Sequence, residues 1–139
     1  MIVDTNGLSA WADGAEAVRS ALRRSTRPVI PAIVLGEYRY GIIKSNRFAR
    51  YQDWLRRTLP LCAIHPVTEV TAEIYGRLRA ELERRGTPLP LNDIWIAAIA
   101  LELDLPLLSN DSDFDRIEGL VRIGFDDPRK KDHKPLPKA

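Results

Sequence analysis

The chain opens Met1-Ile2-Val3-Asp4-Thr5-Asn6, and the reading of this stretch decides the fold. Ile2 and Val3 suit a short strand that enters a core at once, and Asp4 stands where that strand ends. Thr5 and Asn6 are small polar residues able to turn the chain and start a helix. Open α/β sheets bind ligands in the crevice beyond the carboxyl ends of their strands. Asp4 is therefore either a helix cap or a site carboxylate, and the hexapeptide alone does not choose. The rest of the chain places an acidic residue beside an apolar run three more times, at Glu37, Asp93 and Asp111.

A chain of 139 residues fits one domain with one sizeable core. Hydrophobic residues at 45% and charged residues at 29% are ordinary globular values, which argues against disorder and against a membrane span. No run approaches the roughly 18 apolar residues a bilayer needs. No basic segment precedes Ile2 and Asp4 interrupts the apolar start, so no signal peptide is expected. The single cysteine, Cys62, excludes an internal disulfide and lies in the apolar run Leu61-Cys62-Ala63-Ile64, as a buried structural thiol would. A cytoplasmic location is the expectation. The formal net charge is +2, yet from Asp127 onward five Lys or Arg face two Asp, so the remainder is slightly acidic. A mildly basic protein with an acidic site suits a nucleic-acid ligand held by peripheral arginines.

Outward from the first strand, the pattern alternates strands and helices. A helical turn over Leu8 to Trp11 and a helix from Gly14 to Arg24 precede a short buried strand, Pro28-Val29-Ile30, with Pro31 expected in the first turn of the next helix. That helix, Pro31 to Lys44, places Glu37 on one face with Ile33, Val34, Tyr40 and Gly41. A carboxylate so placed must be paired, protonated or bound to a metal, since burying it bare is prohibitive. Asn46 can cap a fourth helix, Arg47 to Thr58, whose stripe Phe48, Tyr51, Trp54 and Leu55 is surrounded by arginines. Leu61 to Ile64 reads as a third strand, and His65 as a loop residue. Thr68 caps a long helix that Gly86 stops, with Ile74, Leu78 and Leu82 inward.

Asn92-Asp93 then open a very apolar helix, Ile94 to Leu103, which must be central. Asp93 in its first turn benefits from the free N–H groups and the dipole and is expected to stay ionised; a cap explains it as well as a site does. Pro106-Leu107-Leu108 gives a fourth strand, ending in Ser109-Asn110-Asp111-Ser112-Asp113-Phe114-Asp115, an arrangement like that after the first strand. A short helix at Asp113 to Ile117 and an edge strand at Leu120 to Ile123 close the fold. The expected domain is 1–125, with 126–139 a charged, mobile tail.

Such alternation argues for a largely parallel sheet covered on both faces. If the first and fourth strands are parallel neighbours, Asp4 and Asp111 emerge at one edge, and Glu37 and Asp93 can reach it from the intervening helices. Four like charges in one cleft repel, so at least one pKa rises unless cations are bound. Oxygen ligands favour Mg²⁺ or Mn²⁺ over zinc. Such ions bind a phosphodiester, activate water and stabilise a leaving oxygen.

With these residues in place, the chain resembles PIN-domain ribonucleases of the VapC toxin type. The resemblance is carried by Asp4-Thr5-Asn6, Glu37, Asn92-Asp93, Ser109-Asn110-Asp111-Ser112-Asp113-Phe114 and Arg116-Ile117-Glu118-Gly119-Leu120, where Glu118 replaces the family's usual proline. It spans roughly residues 1 to 125 and implies a PIN-like three-layer α/β sandwich. By resemblance, Asp4, Glu37, Asp93 and Asp111 are the metal-binding and catalytic acids, Asp113 is an auxiliary ligand, and Thr5, Asn6 and Ser109 support them. The resemblance further implies Mg²⁺ (or Mn²⁺), endoribonuclease activity on structured RNA such as tRNA, a homodimer and a cognate antitoxin. Arg39, Arg47 and Arg50 are candidate contacts to RNA phosphates. The alternatives are a PIN-like nuclease acting on DNA or in RNA processing without an antitoxin, and a domain that binds RNA without cutting it. A haloacid-dehalogenase-like phosphatase would need an Asp where Asn6 stands, and no phosphate-binding glycine loop occurs.

Overall fold

The computed structural model describes residues 1–25, 27–127 and 129. Its centre is a five-stranded, wholly parallel sheet in the order β3-β2-β1-β4-β5. The strands are β1 (Ile2–Val3), β2 (Val29–Pro31), β3 (Ala63–His65), β4 (Leu107–Leu108) and β5 (Arg122–Ile123). Six helices flank it: α1 (Thr5–Ala12), α2 (Glu16–Arg23), α3 (Ala32–Ile43), α4 (Phe48–Thr58), α5 (Glu69–Arg84) and α6 (Leu91–Leu103). The expected α/β class holds.

The sheet order positions the site. From β1 the chain steps outward to β2 and β3, then crosses back to β4 on the other side of β1. Where the winding reverses, neighbouring connections leave in opposite directions and a crevice opens at the carboxyl ends. Ile2 pairs with Leu107 and Val3 with Leu108, so Asp4 and Ser109 emerge side by side. The start of α1 packs close on β4: a Cβ at Gly7 would lie 3.1 Å from the Leu108 carbonyl oxygen and 3.2 Å from a Val3 methyl. A larger residue would have to push strand and turn apart by a few tenths of an ångström, and the close approach brings Thr5 and Asn6 to the ends of both strands.

The apolar run that suggested a central helix does form one. Ile94, Ile96, Ala97, Ala98, Ile99 and Ala100 of α6 are all buried, and all but Ala98 belong to one core with Ile2, Val3, Leu8, Leu107, Leu108 and Phe114. Thr68 caps α5 in a capping box with Thr71. Cys62 is buried, and burial pushes its thiol up to about 11, as an inert structural cysteine requires.

Several local expectations are corrected. The turn expected at Leu8 is part of an eight-residue helix that begins at Thr5, because Asp4 caps it. Pro31 closes β2 and precedes α3 instead of lying in its first turn. The buried stripe of α3 is Val34, Tyr38 and Ile42, an i, i+4, i+8 row; Tyr40 is 60% exposed. The 3- and 4-residue spacings read from sequence fit two adjacent faces, and packing against α1 selects the other one. Asn46 does not cap α4; Arg47 precedes it, its N–H donating to Ser45 Oγ. A 3₁₀ turn occupies Leu59–Leu61, so β3 starts two residues later than expected and ends in His65, which is therefore no loop residue. The short helix after β4 is a 3₁₀ turn, Ser112–Arg116. Of the expected tail, Asp127 is buried and Arg129 bridges it to Asp13 of the α1 end; residues 128 and 130–139 lie outside the described residues.

Candidate active site

Asp4 is 5% exposed. One of its oxygens accepts from the Thr5 N–H (2.8 Å), and the other accepts from Ser109 Oγ (2.6 Å) and Asn6 Nδ2 (3.1 Å). Cap and site carboxylate were rival readings of this residue; it caps α1 and faces the crevice as well. Burial raises its pKa, the Ser109 and Thr5 hydrogen bonds work against that rise, and the charges of Glu37 and Asp111 add to it.

Ser109 is the hub between strands. Its hydroxyl donates to Asp4 and accepts from Asn6 Nδ2 (3.2 Å) and from the Asp111 N–H (3.1 Å). Asn6 Oδ1 accepts from the Asn110 N–H (3.0 Å). The two turns after β1 and β4 are thus laced together, as two polar turns at adjacent parallel strand ends permit. Asp111 Oδ1 accepts from the Asp113 N–H (2.9 Å) and so caps the 3₁₀ turn.

Glu37 reaches the crevice from α3. Thr5 Oγ1 donates to one of its oxygens at 3.0 Å, while Oε1 is buried with no hydrogen-bond partner among the described residues. A buried, bare carboxylate oxygen is costly unless a donor or a cation completes it. Asp93 enters from the first turn of α6. Its pKa is raised to about 6, first by burial and then by the charges of Asp4, Asp111, Glu37 and Asp113. The rise expected for at least one of four clustered acids falls on Asp93: desolvation and four neighbouring carboxyls outweigh the favourable helix start, whose contribution is only about 0.3–1 kcal/mol. All four acids singled out from sequence, with Asp113, therefore interact in one crevice.

The outer acids differ from the inner ones. Asp113 pairs with Arg116 (3.2 Å) and Asp115 forms a bidentate pair with Arg122 (2.8 and 2.9 Å). The inner four have no such ion pair among the described residues, and Asp4 and Asp93 carry the signature of a cleft short of positive charge. Among the described residues no three His, Cys, Asp or Glu side chains form a ready-made metal cage. The donor set still suits a hard divalent ion, which binds through one or two carboxylates and keeps several waters.

A pocket of about 230 Å³ opens beside Glu37, lined by Thr5, Ser9, Tyr38, Gly41, Ile42, Ser45 and Tyr51 as well as Glu37 itself. Tyr51 donates to Asp13 (2.7 Å), and the Arg50 guanidinium lies 5.9 Å from the Tyr51 ring centre. Arg39 is exposed and donates to Gln52 of α4 (3.4 Å). Arg39, Arg47 and Arg50 thus sit on the α3–α4 pair and not among the acids. Sequence reasoning did not single out Asn110, although it lies inside the quoted Ser-Asn-Asp run. It also missed Arg122, which no local pattern marks because its partners are 13 and 7 residues away.

Comparison with known proteins adds the family context. The profile of the PIN domain matches residues 1–120. The ribonuclease VapC2 of Rickettsia felis is 32% identical over 106 residues, covering 76% of this chain and 79% of that protein. The R. felis VapBC2 complex bound to a DNA fragment from its promoter superimposes with a TM-score of 0.83 at 28% identity, covering 90% of this chain and 98% of the matched one. A toxin–antitoxin complex from Klebsiella pneumoniae matches with a TM-score of 0.70 at 28% identity, over 86% and 94% of the two chains.

Proposed function

The chain belongs to the PIN-domain family, in its VapC ribonuclease branch, and from that premise we propose that its crevice hydrolyses RNA internally with a divalent metal ion, as the toxin of a toxin–antitoxin pair. The observation that carries this reading is the uncompensated carboxylate cluster at the switch point: Asp4 and Asp93 shifted upward, and Glu37 Oε1 buried without a partner. Asp4, Glu37, Asp93 and Asp111 would hold the ion, Mg²⁺ or Mn²⁺. Asp113, whose Oδ1 pairs with Arg116, would join them as an auxiliary ligand. When bound, the ion supplies Lewis acidity toward the phosphodiester and eases deprotonation of the attacking water.

The chain's own groups prepare that chemistry. Ser109 and Asn6 orient Asp4 Oδ2, the Thr5 N–H holds Oδ1, and Thr5 Oγ1 holds Glu37 Oε2, so each bound carboxylate keeps a fixed lone-pair direction. Arg39, Arg47 and Arg50 supply cations for RNA phosphates along the α3–α4 rim, outside the acids that would repel the backbone. Structured RNA such as tRNA is the proposed substrate. No helix among the described residues is long and apolar enough to cross a membrane; a cytoplasmic site of action belongs to the same proposal.

A cognate antitoxin is the proposed partner, supported by the matched toxin–antitoxin complex. A basic side chain of that partner could replace the ion's charge without its Lewis acidity, while an apolar segment lies in the groove. A homodimer is proposed on the same family grounds; obligate interfaces bury about 2,000 Å² or more, and sedimentation showing only monomer at micromolar concentration would exclude a stable one.

The decisive experiment incubates the purified protein with RNA and with DNA, in Mn²⁺ and then in EDTA. Internal RNA cleavage that EDTA abolishes is the expected outcome. Cleavage of DNA alone would support the DNA-nuclease alternative, and binding without cleavage the RNA-binding one.

A further inference from the structure

Beside the four carboxylates, the Arg122 guanidinium of β5 lies against the loop that carries Asp111. We infer that Arg122, steadied by Asp115, is a positioning residue: it splints the Ser109–Asp111 loop and so sets where Asp4 and Asp111 stand relative to each other. The inference rests on the reading of that loop as part of a metal-dependent site.

β5 is an edge strand of two residues, yet it holds the loop at several points. The Ser109 N–H donates to the Ile123 carbonyl at 3.0 Å. Arg122 folds back so that Nη1 donates to the Ser109 carbonyl at 3.1 Å. The Phe125 N–H donates to Asn110 Oδ1 at 2.8 Å. Ser109 is thereby fixed at both its N–H and its C=O, and its hydroxyl is aimed at Asp4 and at the Asp111 N–H.

The geometry needs a guanidinium. Nε and Nη2 fork onto Asp115 while Nη1 reaches the carbonyl, a division of labour that a lysine ammonium cannot reproduce. Gly124 leaves room for it: a Cβ there would lie 3.2 Å from Arg122 Nη1, so a side chain would press on the splint and shift it by a few tenths of an ångström. Asp115, otherwise unexplained acidity near the site, acquires a role as the anchor that keeps the fork in plane. Asp115 is 55% exposed, so the pair contributes little to global stability. Its effect is on geometry, where small displacements of reacting groups are costly.

The test compares the full-length wild type with Arg122→Gln, Arg122→Lys and Asp115→Asn in three measurements. Amide exchange at Asn110 and Asp111 without metal should accelerate about ten-fold or more in Arg122→Gln. Calorimetric Mn²⁺ binding should weaken about five-fold or more. On a fixed RNA oligomer kcat should fall about ten-fold while KM stays within roughly two-fold. Arg122→Lys should recover part of each loss, and Asp115→Asn should show a smaller version of all three. Exchange at Asn110 and Asp111 within about two-fold of wild type overturns the splint, and faster exchange with unchanged Mn²⁺ affinity and kcat reduces it to a structural edge contact, which also overturns it. Should Arg122→Gln fail to fold, Arg122→Lys and Asp115→Asn decide in the same terms. A wild type that neither binds Mn²⁺ nor cuts RNA defeats the proposed nuclease function instead, and the exchange measurement then decides the splint by itself.

Discussion

Helix α6 carries a covered carboxylate near each end, and the two have opposite fates. Glu102, in the last turn, accepts from His65 Nε2 (3.0 Å), Thr68 Oγ1 (3.0 Å) and Thr71 Oγ1 (2.9 Å). Burial pushes its pKa up, but these bonds together bring it below the ordinary value. Asp93, in the first turn, forms no side-chain hydrogen bond among the described residues, and burial first, then the charges of Asp4, Asp111, Glu37 and Asp113, raise its pKa to about 6. One carboxylate is completed by donors from β3 and α5; the other has no such donor among the described residues. Incomplete satisfaction of a covered charge, more than acidity as such, distinguishes the proposed site from an ion-paired strut.

The comparison breaks most visibly at its functional end. Asp93→Asn should reduce RNA cleavage about a thousand-fold. Without metal the same protein should unfold in urea with unchanged or higher stability, by about 1–2 kcal/mol once solvent screening of a partly exposed group is allowed for. Equal cleavage by the variant would remove Asp93 from the site. Glu102→Ala should do the reverse. It strands three donors and should cost about 2–3 kcal/mol of stability, with cleavage per folded molecule unchanged. A large activity loss at matched folded fraction would show that the two ends of α6 are not separable.

Acid titration sharpens the contrast, because the two shifts have opposite signs. Asp93 is raised from 3.8, in a crevice it shares with Asp4, Glu37, Asp111 and Asp113. Its ionised form is disfavoured by folding, so metal-free stability should rise as pH falls from 7 to 5, on the order of 1 kcal/mol. Glu102 is lowered from 4.5, so its contribution is complete above that value and is lost as pH falls further, through the folded pKa. Urea midpoints between pH 7 and 3 should therefore pass through a maximum. In Asp93→Asn the rise on acidification should shrink, the remainder belonging to Asp4. A monotonic profile in wild type would contradict the assignment. The smallest effect is expected from Thr5→Val, which takes from Glu37 the hydroxyl that donates to it. Cleavage should drop several-fold and metal-free stability should change by about 1 kcal/mol or less; no change in either would mean that the Thr5 contact does not orient Glu37.

The acids were legible in sequence because each stands beside a period break. Asp4 and Asp111 follow two-residue apolar strands, Asp93 opens the most apolar helix, and Glu37 interrupts an apolar one. Chain order also fixed the alternation that makes a parallel sheet, since a crossover of sufficient length separates every pair of strands. The apolar run Ile94 to Leu103 sufficed to make α6 central. Other features lay beyond any local pattern. Whether β1 neighbours β4 is a choice among topologies, and it alone turns the acids after β1 and β4 into one crevice. The inward face of α3 was misassigned because an i, i+3, i+4 pattern fits two adjacent rows, and only packing selects between them. The pKa values of Asp93 and Glu102 depend on burial and on which groups other elements of the chain bring against them, and these two acids on one helix diverge for that reason. The sequence by itself determined which side chains could be charged and where the backbone would turn, because those follow from residue chemistry and short-range sterics. Tertiary structure decided which charges were satisfied, because desolvation and hydrogen bonding depend on neighbours that only the closed fold brings together.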